Sequence, residues 1–354
     1  DKEPEITCGD DDTLTILYTS GTTGRPKGAE LTHNGYFGTS TTLRATFGDI
    51  GEVLLMPLPL FHIGALAPVP MCVHFGMKMV FQRVFDPKNF LELLGQEKIT
   101  WFGSVPAILM FLRQIPDFEK FDWHTVKMAL VYAAPVPVTL IKEYAASGIE
   151  IRQLYGMTEC TGPATVIDSE NAIEKAGSCG PPFFHNEIRI VDLEGNDVGP
   201  NEMGEVLIAG TNLMKGYWNK PEATAETLKE GWLYSGDMGK MDEDGFLYIL
   251  DRKKDMIISG GENIYPAEIE DVLLGNPKIG DAAVIGYEDE KWGESIKAVV
   301  VVKEGEALTE PELIEWCQGK IGKFKIPKKV VITDQIPRTP TGKILKRILR
   351  EQFN

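Results

Sequence analysis

The sequence Tyr-Thr-Ser-Gly-Thr-Thr-Gly-Arg-Pro-Lys-Gly, from Tyr18 to Gly28, follows a short apolar segment at Leu14 to Leu17 that predicts a β-strand. It contains three glycines, four Ser or Thr side chains and two cations. Glycine lets a backbone turn tightly and approach a ligand closely. Backbone N–H groups and hydroxyls in such a turn donate to anionic oxygens. The stretch therefore predicts a loop that binds a polyphosphate.

A Walker A loop is the first alternative, and the spacing excludes it. That motif needs Gly, four residues, and then Gly-Lys-Ser/Thr. Counted from Gly21, the second glycine falls on Pro26, and Gly28 stands where a hydroxyl should bind Mg²⁺. The stretch instead closely resembles the phosphate-binding signature of the adenylate-forming superfamily, which contains acyl-CoA synthetases, adenylation domains of peptide synthetases and beetle luciferases. The resemblance implies ATP-binding residues at Thr19, Ser20, Gly21, Thr22, Thr23, Gly24 and Lys27.

Composition and charge narrow the class of protein. The 354 residues, 43% of them hydrophobic and 25% charged, are enough for two domains with their own cores. A formal net charge of −16 argues against nonspecific nucleic-acid binding. The five cysteines include no CxxC pair, which argues against a disulfide framework or a zinc site and predicts a reducing cytoplasm.

One uncharged segment, from Val53 to Met77, is long enough to cross a bilayer. Four prolines interrupt it, and each would break the hydrogen bonding of a spanning helix. We therefore expect no membrane span, but a buried strand, a loop and a helix at Ala65 to Phe75.

The order of elements predicts an α/β fold. Strand and helix patterns alternate from Lys78 to Tyr155, which favours αβ layers around a parallel sheet with ligands beyond the carboxyl ends of the strands. From about Gly177 short alternating strands predict a small β subdomain. The charge run from Asp251 to Asp255 marks the predicted boundary between a large domain, residues 1–251, and a small α+β C-terminal lid domain, residues 252–354.

The segment from Tyr155 to Glu159, Tyr-Gly-Met-Thr-Glu, carries the predicted nucleotide chemistry. An aromatic face suits a purine, and a carboxylate suits Mg²⁺. The resemblance implies that Tyr155 stacks on adenine, that Thr158 contacts the α-phosphate and that Glu159 binds the metal. It extends the nucleotide site to Gly156 and Met157, and to Ala134 and Pro135 in a motif in which Ala133 replaces glycine.

The ribose, the hinge and the thiol arm of CoA are assigned further along the chain. Asp237, in Ser-Gly-Asp, can accept two hydrogen bonds from vicinal hydroxyls, so we assign it to the ribose. The resemblance implies that Arg252 also reaches ribose and phosphate, and that Lys254 is the hinge about which the small domain rotates. It implies that Gly260 and Gly261 line the pantetheine tunnel.

The acyl pocket and the catalytic set are also implied by the resemblance. Pro-Leu-Phe-His, ending at His62, resembles the motif that gates the pocket, which would include Gly103, Ala133 and Gly156. Lys343, in Arg-Thr-Pro-Thr-Gly-Lys, resembles the lysine that meets the carboxylate and the α-phosphate. The implied catalytic residues are Lys343, Glu159, Thr158 and His62.

These assignments predict an AMP-forming acid–thiol ligase that uses ATP, Mg²⁺ and CoA. The pattern most resembles fatty acyl-CoA synthetases, and a medium- or long-chain fatty acid is the expected substrate. Aryl-CoA ligases of the 4-coumarate or benzoate type are the alternative. The acyl chain length stays open.

Members of the superfamily normally carry a long region before the glycine-rich loop, whereas here the loop begins within the first twenty residues. The resemblance therefore implies a large domain truncated at its N-terminus. It leaves a second class of function open, a non-catalytic fragment that binds nucleotide or acyl groups. A homo-oligomer, or a partner chain that covers the missing layer, is a further expectation.

Overall fold

The structure, a computed structural model, describes residues 5–19, 26–48, 51–134, 136–338 and 344–353. The chain divides into two compact units. We call Asp1–Ser235 with Gly239–Ile249 the large unit, and Gly236–Met238 with Leu250–Asn354 the small unit.

A six-stranded sheet forms the centre of the large unit. Its strands, in chain order, are Val53–Met56 (β3), Lys78–Phe81 (β4), Trp101–Ser104 (β5), Met128–Val131 (β6), Glu150–Met157 (β7) and Gly162–Ile167 (β8), after Thr13–Thr19 (β1) and Lys27–Thr32 (β2) of another sheet. The sheet order is β4-β3-β5-β6-β7-β8, and all neighbours are parallel except β7 and β8, which are antiparallel.

Helices cover both faces of this sheet. They are His33–Phe47 (α1), Ile63–Leu66 (α2), Pro68–His74 (α3), Pro87–Gln96 (α4), Pro106–Arg113 (α5), Val138–Ala146 (α6) and Ser169–Glu174 (α7). Successive side chains of a strand point to opposite faces. Accordingly Leu55 and Phe102 pack with α4 to α6, whereas Leu54 and Trp101 pack with α1 and α3.

Two smaller sheets complete this part of the chain. Their remaining strands are Asn186–Val191 (β9), Gly204–Gly210 (β10), Gly216–Tyr217 (β11), Leu228–Lys229 (β12), Trp232–Met241 (β13) and Leu247–Arg252 (β14), with helix Pro221–Thr227 (α8). One sheet has the order β1-β2-β11, and the other has the order β12-β13-β10-β9 with β14 on β13. The layered αβ fold with a β subdomain was predicted from the sequence.

The small unit is α+β. It contains strands Ile257–Ser259 (β15), Glu262–Ile264 (β16), Ile279–Asp289 (β17), Gly293–Val302 (β18) and Lys329–Ile332 (β19), and helices Pro266–Leu274 (α9), Glu310–Cys317 (α10) and Lys346–Phe353 (α11). The sheet order is β16-β15-β18-β17, with β19 on β18. Two ion pairs hold α11: Lys346 with Glu270 at 2.9 Å and Arg350 with Asp255 at 3.0 Å.

The helix predicted at Ala65 to Phe75 is instead two short helices that meet at Ala67. Pro68 has no N–H to donate to the carbonyl four residues earlier, at Gly64, so it begins a new helix. The hydroxyl of Tyr132 donates to that carbonyl instead, at 2.7 Å. Among the described residues, no helix has the length and apolar character that crossing a membrane requires.

Candidate active site

The candidate site of the large unit lies where β7 ends, at the carboxyl edge of the parallel strands, which is where α/β sheets bind ligands. The pairing of β7 with β8 shifts register between Tyr155 and Gly156. A Cβ added to Gly156 would overlap the carbonyl oxygen of Gly162. Glycine at this position is therefore required by the close approach of the two strands, whatever contact it also makes with a ligand.

Glu159 follows in a short 3₁₀ turn, Thr158–Cys160, and is 6% exposed. The hydroxyl of Tyr217 donates a hydrogen bond to its Oε1 at 2.8 Å. Burying a carboxylate is costly unless donors stabilise it, and this hydroxyl is such a donor. Glu159 is thus a fixed, buried carboxylate at the ligand-binding edge of the sheet.

Tyr217 also contacts the glycine-rich stretch. The Nζ atom of Lys27 lies 4.9 Å from the centroid of the Tyr217 ring. Strand β11 pairs with β2, with Tyr217 opposite Ala29, and this pairing places the ring beside Lys27. Three residues far apart in sequence, Lys27, Glu159 and Tyr217, are brought together. Sequence reasoning missed Tyr217, because a tyrosine in a two-residue strand carries no local signal of a site.

The donor set fits magnesium. Mg²⁺ in nucleotide sites is usually held by one or two carboxylates and by substrate phosphates, not by a cage of protein ligands. Within the described ranges, no group of three or more His, Cys, Asp and Glu side chains could hold a metal ion. Glu159 offers one buried carboxylate, and its hydrogen-bond donor Tyr217 also contacts Lys27, which matches the first arrangement.

The predicted phosphate loop is bounded by a β-hairpin. Thr19, the last residue of β1, is the cross-strand partner of Lys27, the first residue of β2. The residues between them that were assigned to phosphate, Ser20, Gly21, Thr22, Thr23 and Gly24, lie outside the described residues, as do Pro135 and Lys343.

The predicted acyl-pocket residue His62 lies between β3 and α2. Its Nε2 is buried and has no hydrogen-bond partner among the described residues. Burial lowers the pKa of this imidazole, which favours its neutral form. An unpartnered buried nitrogen is uncommon in a protein core and calls for an explanation, and a bound ligand would provide one.

Gly103 and Ala133 lie at the carboxyl ends of β5 and β6. A Cβ on Gly103 would be 2.7 Å from both Met56 Cε and Tyr132 Oη. Ala133 is exposed and has a φ of +77°, in the left-handed region that glycine adopts without cost. The alanine that replaces glycine in this motif is therefore strained.

In the small unit the two residues predicted to bind ribose lie together. Arg252 Nε is 2.7 Å from Asp237 Oδ1, and the Asp237 side chain is only 6% exposed. The ion pair fixes the carboxylate in place.

Gly260 and Gly261 form the two-residue turn between β15 and β16, with φ values of +62° and +88°. Positive φ at both positions selects glycine in such hairpins. A Cβ on Gly260 would also lie 2.8 Å from the Trp292 ring. The turn therefore explains both glycines, and their contact with CoA stays a prediction. Lys254 is exposed in the 3₁₀ turn Lys253–Asp255, and its hinge role also stays a prediction.

Comparison with known proteins gives the family. The model of a family described as AMP-binding enzyme matches residues 1–218, and that of the AMP-binding enzyme C-terminal domain matches residues 268–343. The chain belongs to the AMP-binding enzyme family. The family and fold class predicted from the sequence are confirmed.

Relatives within the AMP-binding enzymes include two CoA ligases. The chain is 44% identical to the long-chain-fatty-acid–CoA ligase FadD13 of Mycobacterium tuberculosis, over 99% of this chain and 70% of the ligase. It is 42% identical to feruloyl-CoA synthase of an Amycolatopsis species, over 100% of this chain and 72% of the synthase. A solved structure of o-succinylbenzoate CoA synthetase (MenE) from Bacillus subtilis, in complex with ATP and magnesium, has a TM-score of 0.88 and 35% identity, and covers 99% of this chain and 72% of that one.

Proposed function

We propose that this AMP-binding enzyme is an acid–thiol ligase that forms acyl-CoA in two steps. A carboxylate first attacks the α-phosphorus of ATP, giving acyl-AMP and pyrophosphate. The thiol of CoA then attacks the acyl carbon and releases AMP. The observation that carries the proposal is the buried Glu159 carboxylate, held by Tyr217 beside Lys27 at the carboxyl end of β7. Two relatives of the chain, the CoA ligase FadD13 and feruloyl-CoA synthase, support this proposal.

The first step needs charge stabilisation more than proton transfer. A carboxylate is a poor acyl donor because its leaving group would be oxide. Acyl-AMP is a far better acyl donor because AMP is a good leaving group. The approach of a carboxylate to a triphosphate gathers negative charge in one place. Lys27 and the donors of the glycine-rich stretch are suited to stabilise that charge, and we assign Lys343 to the same task. Mg²⁺ held by Glu159 would neutralise part of the phosphate charge.

The nucleotide is assigned by chemistry to the remaining polar and aromatic residues. Tyr155 offers a ring for the adenine, and Thr158 a hydroxyl for the α-phosphate. Asp237, already fixed by Arg252, keeps further lone pairs that can accept from the ribose hydroxyls. No residue nucleophile is needed, because CoA brings its own thiol. Burial raises the pKa of the Cys160 thiol to about 12, which agrees with a structural role.

The second step is assigned to the small unit. The proposed domains are residues 1–251 and 252–354, and Lys254 is the proposed hinge between them. Gly260 and Gly261 are proposed to lie beside the pantetheine arm of CoA. The cysteine usage supports a cytoplasmic enzyme. Self-association, or a partner chain, is a separate prediction that light scattering on the purified protein would check.

The acid is proposed to be a medium- or long-chain fatty acid, in line with FadD13. An aryl acid is the second candidate, and feruloyl-CoA synthase favours it at nearly the same identity. A binding protein without turnover is the third candidate.

Acid-dependent exchange of labelled pyrophosphate into ATP tests the proposal. The acids would be butyrate to palmitate, benzoate and 4-coumarate, with Mg²⁺ present. We expect exchange with one class of acid, loss of exchange in Lys343→Ala, and retention in Lys303→Ala, which removes an exposed lysine of the small unit. Measurable ATP binding without exchange for every acid would refute the enzyme and favour the binding protein.

A further inference from the structure

The side chain of Tyr132 occupies the space between helix α2 and the carboxyl ends of the central strands. Tyr132 directly follows β6 and packs in the apolar cluster that contains Met56, Ala65 and Trp101. Glycines lie on two sides of its ring. A Cβ on Gly64 would overlap the ring, and a Cβ on Gly103 would lie 2.7 Å from the hydroxyl. Two positions that could have filled this space are left empty, and one tyrosine fills it.

The ring is held in this position by its hydroxyl. Because Pro68 cannot donate to the Gly64 carbonyl, the Tyr132 hydroxyl satisfies that carbonyl at 2.7 Å. Displacing the ring would leave a carbonyl of α2 without this donor. Burial also raises the pKa of the phenol, which keeps it a neutral donor at physiological pH. A substrate tail would have to stop at the ring or break this hydrogen bond.

The same space borders Gly103, and Tyr132 directly precedes Ala133; the resemblance assigns both of these residues to the acyl pocket. It lies at the edge of the sheet where α/β folds bind ligands. Apolar side chains and an aromatic ring are typical of the lining of a small-molecule pocket. The surroundings of Tyr132 therefore suit an acyl tail.

We propose that the ring of Tyr132 closes the inner end of the acyl pocket and limits the length of the fatty acid that the enzyme accepts. This inference rests on the proposed function and makes it more specific: the substrates are the shorter fatty acids of the proposed range. Tyr132 contacts the substrate tail in this proposal, so its role is in specificity and not in the chemical step. A core tyrosine with no such role is the competing explanation.

The effect of removing the ring follows from transfer energetics. Each methylene that enters a newly opened apolar space gains about 0.8 kcal/mol, or about fourfold in kcat/KM. Tyr132→Gly should therefore move the optimum to longer acids, with a rise of about fourfold for each added methylene until the space is full. Tyr132→Phe keeps the ring and removes only the hydrogen bond that holds it, so its optimum should move least of the three variants.

The experiment is a chain-length series from butyrate to palmitate in pyrophosphate exchange, for the unaltered protein, Tyr132→Gly, Tyr132→Leu and Tyr132→Phe. Tyr132→Leu opens less space while preserving apolar packing, and it serves if the glycine variant does not fold. The expected result is a shift of the optimum to longer acids, smallest for Tyr132→Phe, intermediate for Tyr132→Leu and largest for Tyr132→Gly. A change by one common factor for all acids, or highest activity of the unaltered protein with palmitate, would overturn the inference.

The failure of this inference can be told apart from failure of the proposed function. If no acid supports exchange, the enzyme proposal itself is wrong. Binding of the same acids is then measured instead, as the rise in melting temperature that each acid causes. The same order of variants is expected there. Equal melting shifts for short and long acids in all four proteins would overturn the pocket proposal without reference to catalysis.

Discussion

The hydrogen bond from Tyr217 to Glu159 offers a direct test of the proposed metal site. Tyr217→Phe deletes the hydroxyl that donates to Glu159 Oε1 at 2.8 Å. It keeps the ring that lies 4.9 Å from the Nζ of Lys27. The variant thus separates the support of the carboxylate from the contact with the lysine.

The expected magnitude comes from the character of this bond. A hydrogen bond to a charged group contributes about 1.5–3 kcal/mol, which corresponds to roughly 10- to 150-fold in an equilibrium constant. Loss of a residue that supports a metal ligand typically lowers metal affinity by about 10- to 100-fold. We therefore expect the Mg²⁺ concentration at half-maximal pyrophosphate exchange to rise by about 10- to 100-fold, because the unsupported carboxylate is no longer held in place.

The assay titrates Mg²⁺ at fixed ATP and acid, and calorimetric binding of Mn²⁺ with ATP gives a second measure that does not depend on turnover. Tyr36→Phe is the matched control. Its hydroxyl hydrogen bond to Thr15, at 2.9 Å, lies in the same core cluster as Tyr217 and does not involve Glu159. We expect the control to leave the Mg²⁺ midpoint unchanged. A Tyr217→Phe midpoint equal to that of the unaltered protein would refute the assignment and leave Tyr217 as a packing residue.

Three single substitutions test the backbone strain at Ala133, the burial of His62 and the ribose contact of Asp237. Ala133→Gly should raise the free energy of unfolding by about 0.5–1 kcal/mol, because glycine adopts the positive φ without strain. Unfolding in urea measures this, and a decrease in that free energy would contradict the prediction. Burial lowers the pKa of His62 in the folded protein below its usual 6.5. As the pH falls through 6.5, the unfolded chain therefore binds more protons than the folded chain, and stability is lost. The melting temperature should therefore decline with acidification, and His62→Asn should weaken that decline, whereas an equal decline in the two proteins would contradict the assignment. Asp237→Asn should raise the KM for ATP by about tenfold or more. The KM for 2′-deoxy-ATP should rise by a smaller factor, and equal increases in KM for the two nucleotides would argue against a ribose contact.

Local signals in the sequence predicted many elements with the bounds that the structure has. Sequence patterns predict strands at Val53 to Met56 and Lys78 to Phe81, and helices at Val138 to Ala146 and Pro266 to Leu274. These segments coincide with β3, β4, α6 and α9. Thr309 and Glu312 have the spacing of a capping box, which predicts a helix from Thr309. Helix α10 begins there, and the Thr309 N–H donates to Glu312 at 2.7 Å. These elements carry their own start signals or continuous apolar runs, so neighbouring residues alone determine them.

Strands that depend on distant partners were missed. Strands β2, β8 and β13 carry no local pattern that predicts a strand. The Ser-Gly-Asp motif that includes Asp237 has the composition of a turn, yet it lies within the ten-residue strand β13. Its neighbours β10 and β14 come from other parts of the sequence, and their pairing overrides the local preference.

Glycines and tyrosines behaved in opposite ways as signals of the site. Gly156, Gly260 and Gly261 were assigned to ligands, but their conformations and close backbone contacts already require glycine, so the residue type alone is weak evidence of function. Tyr132 and Tyr217 attracted no assignment, yet each joins segments that the sequence places far apart. A glycine is required by the conformation of its own backbone, which the local sequence can predict. The role of a buried tyrosine depends on the hydrogen-bond partner of its hydroxyl, and only the folded chain identifies that partner.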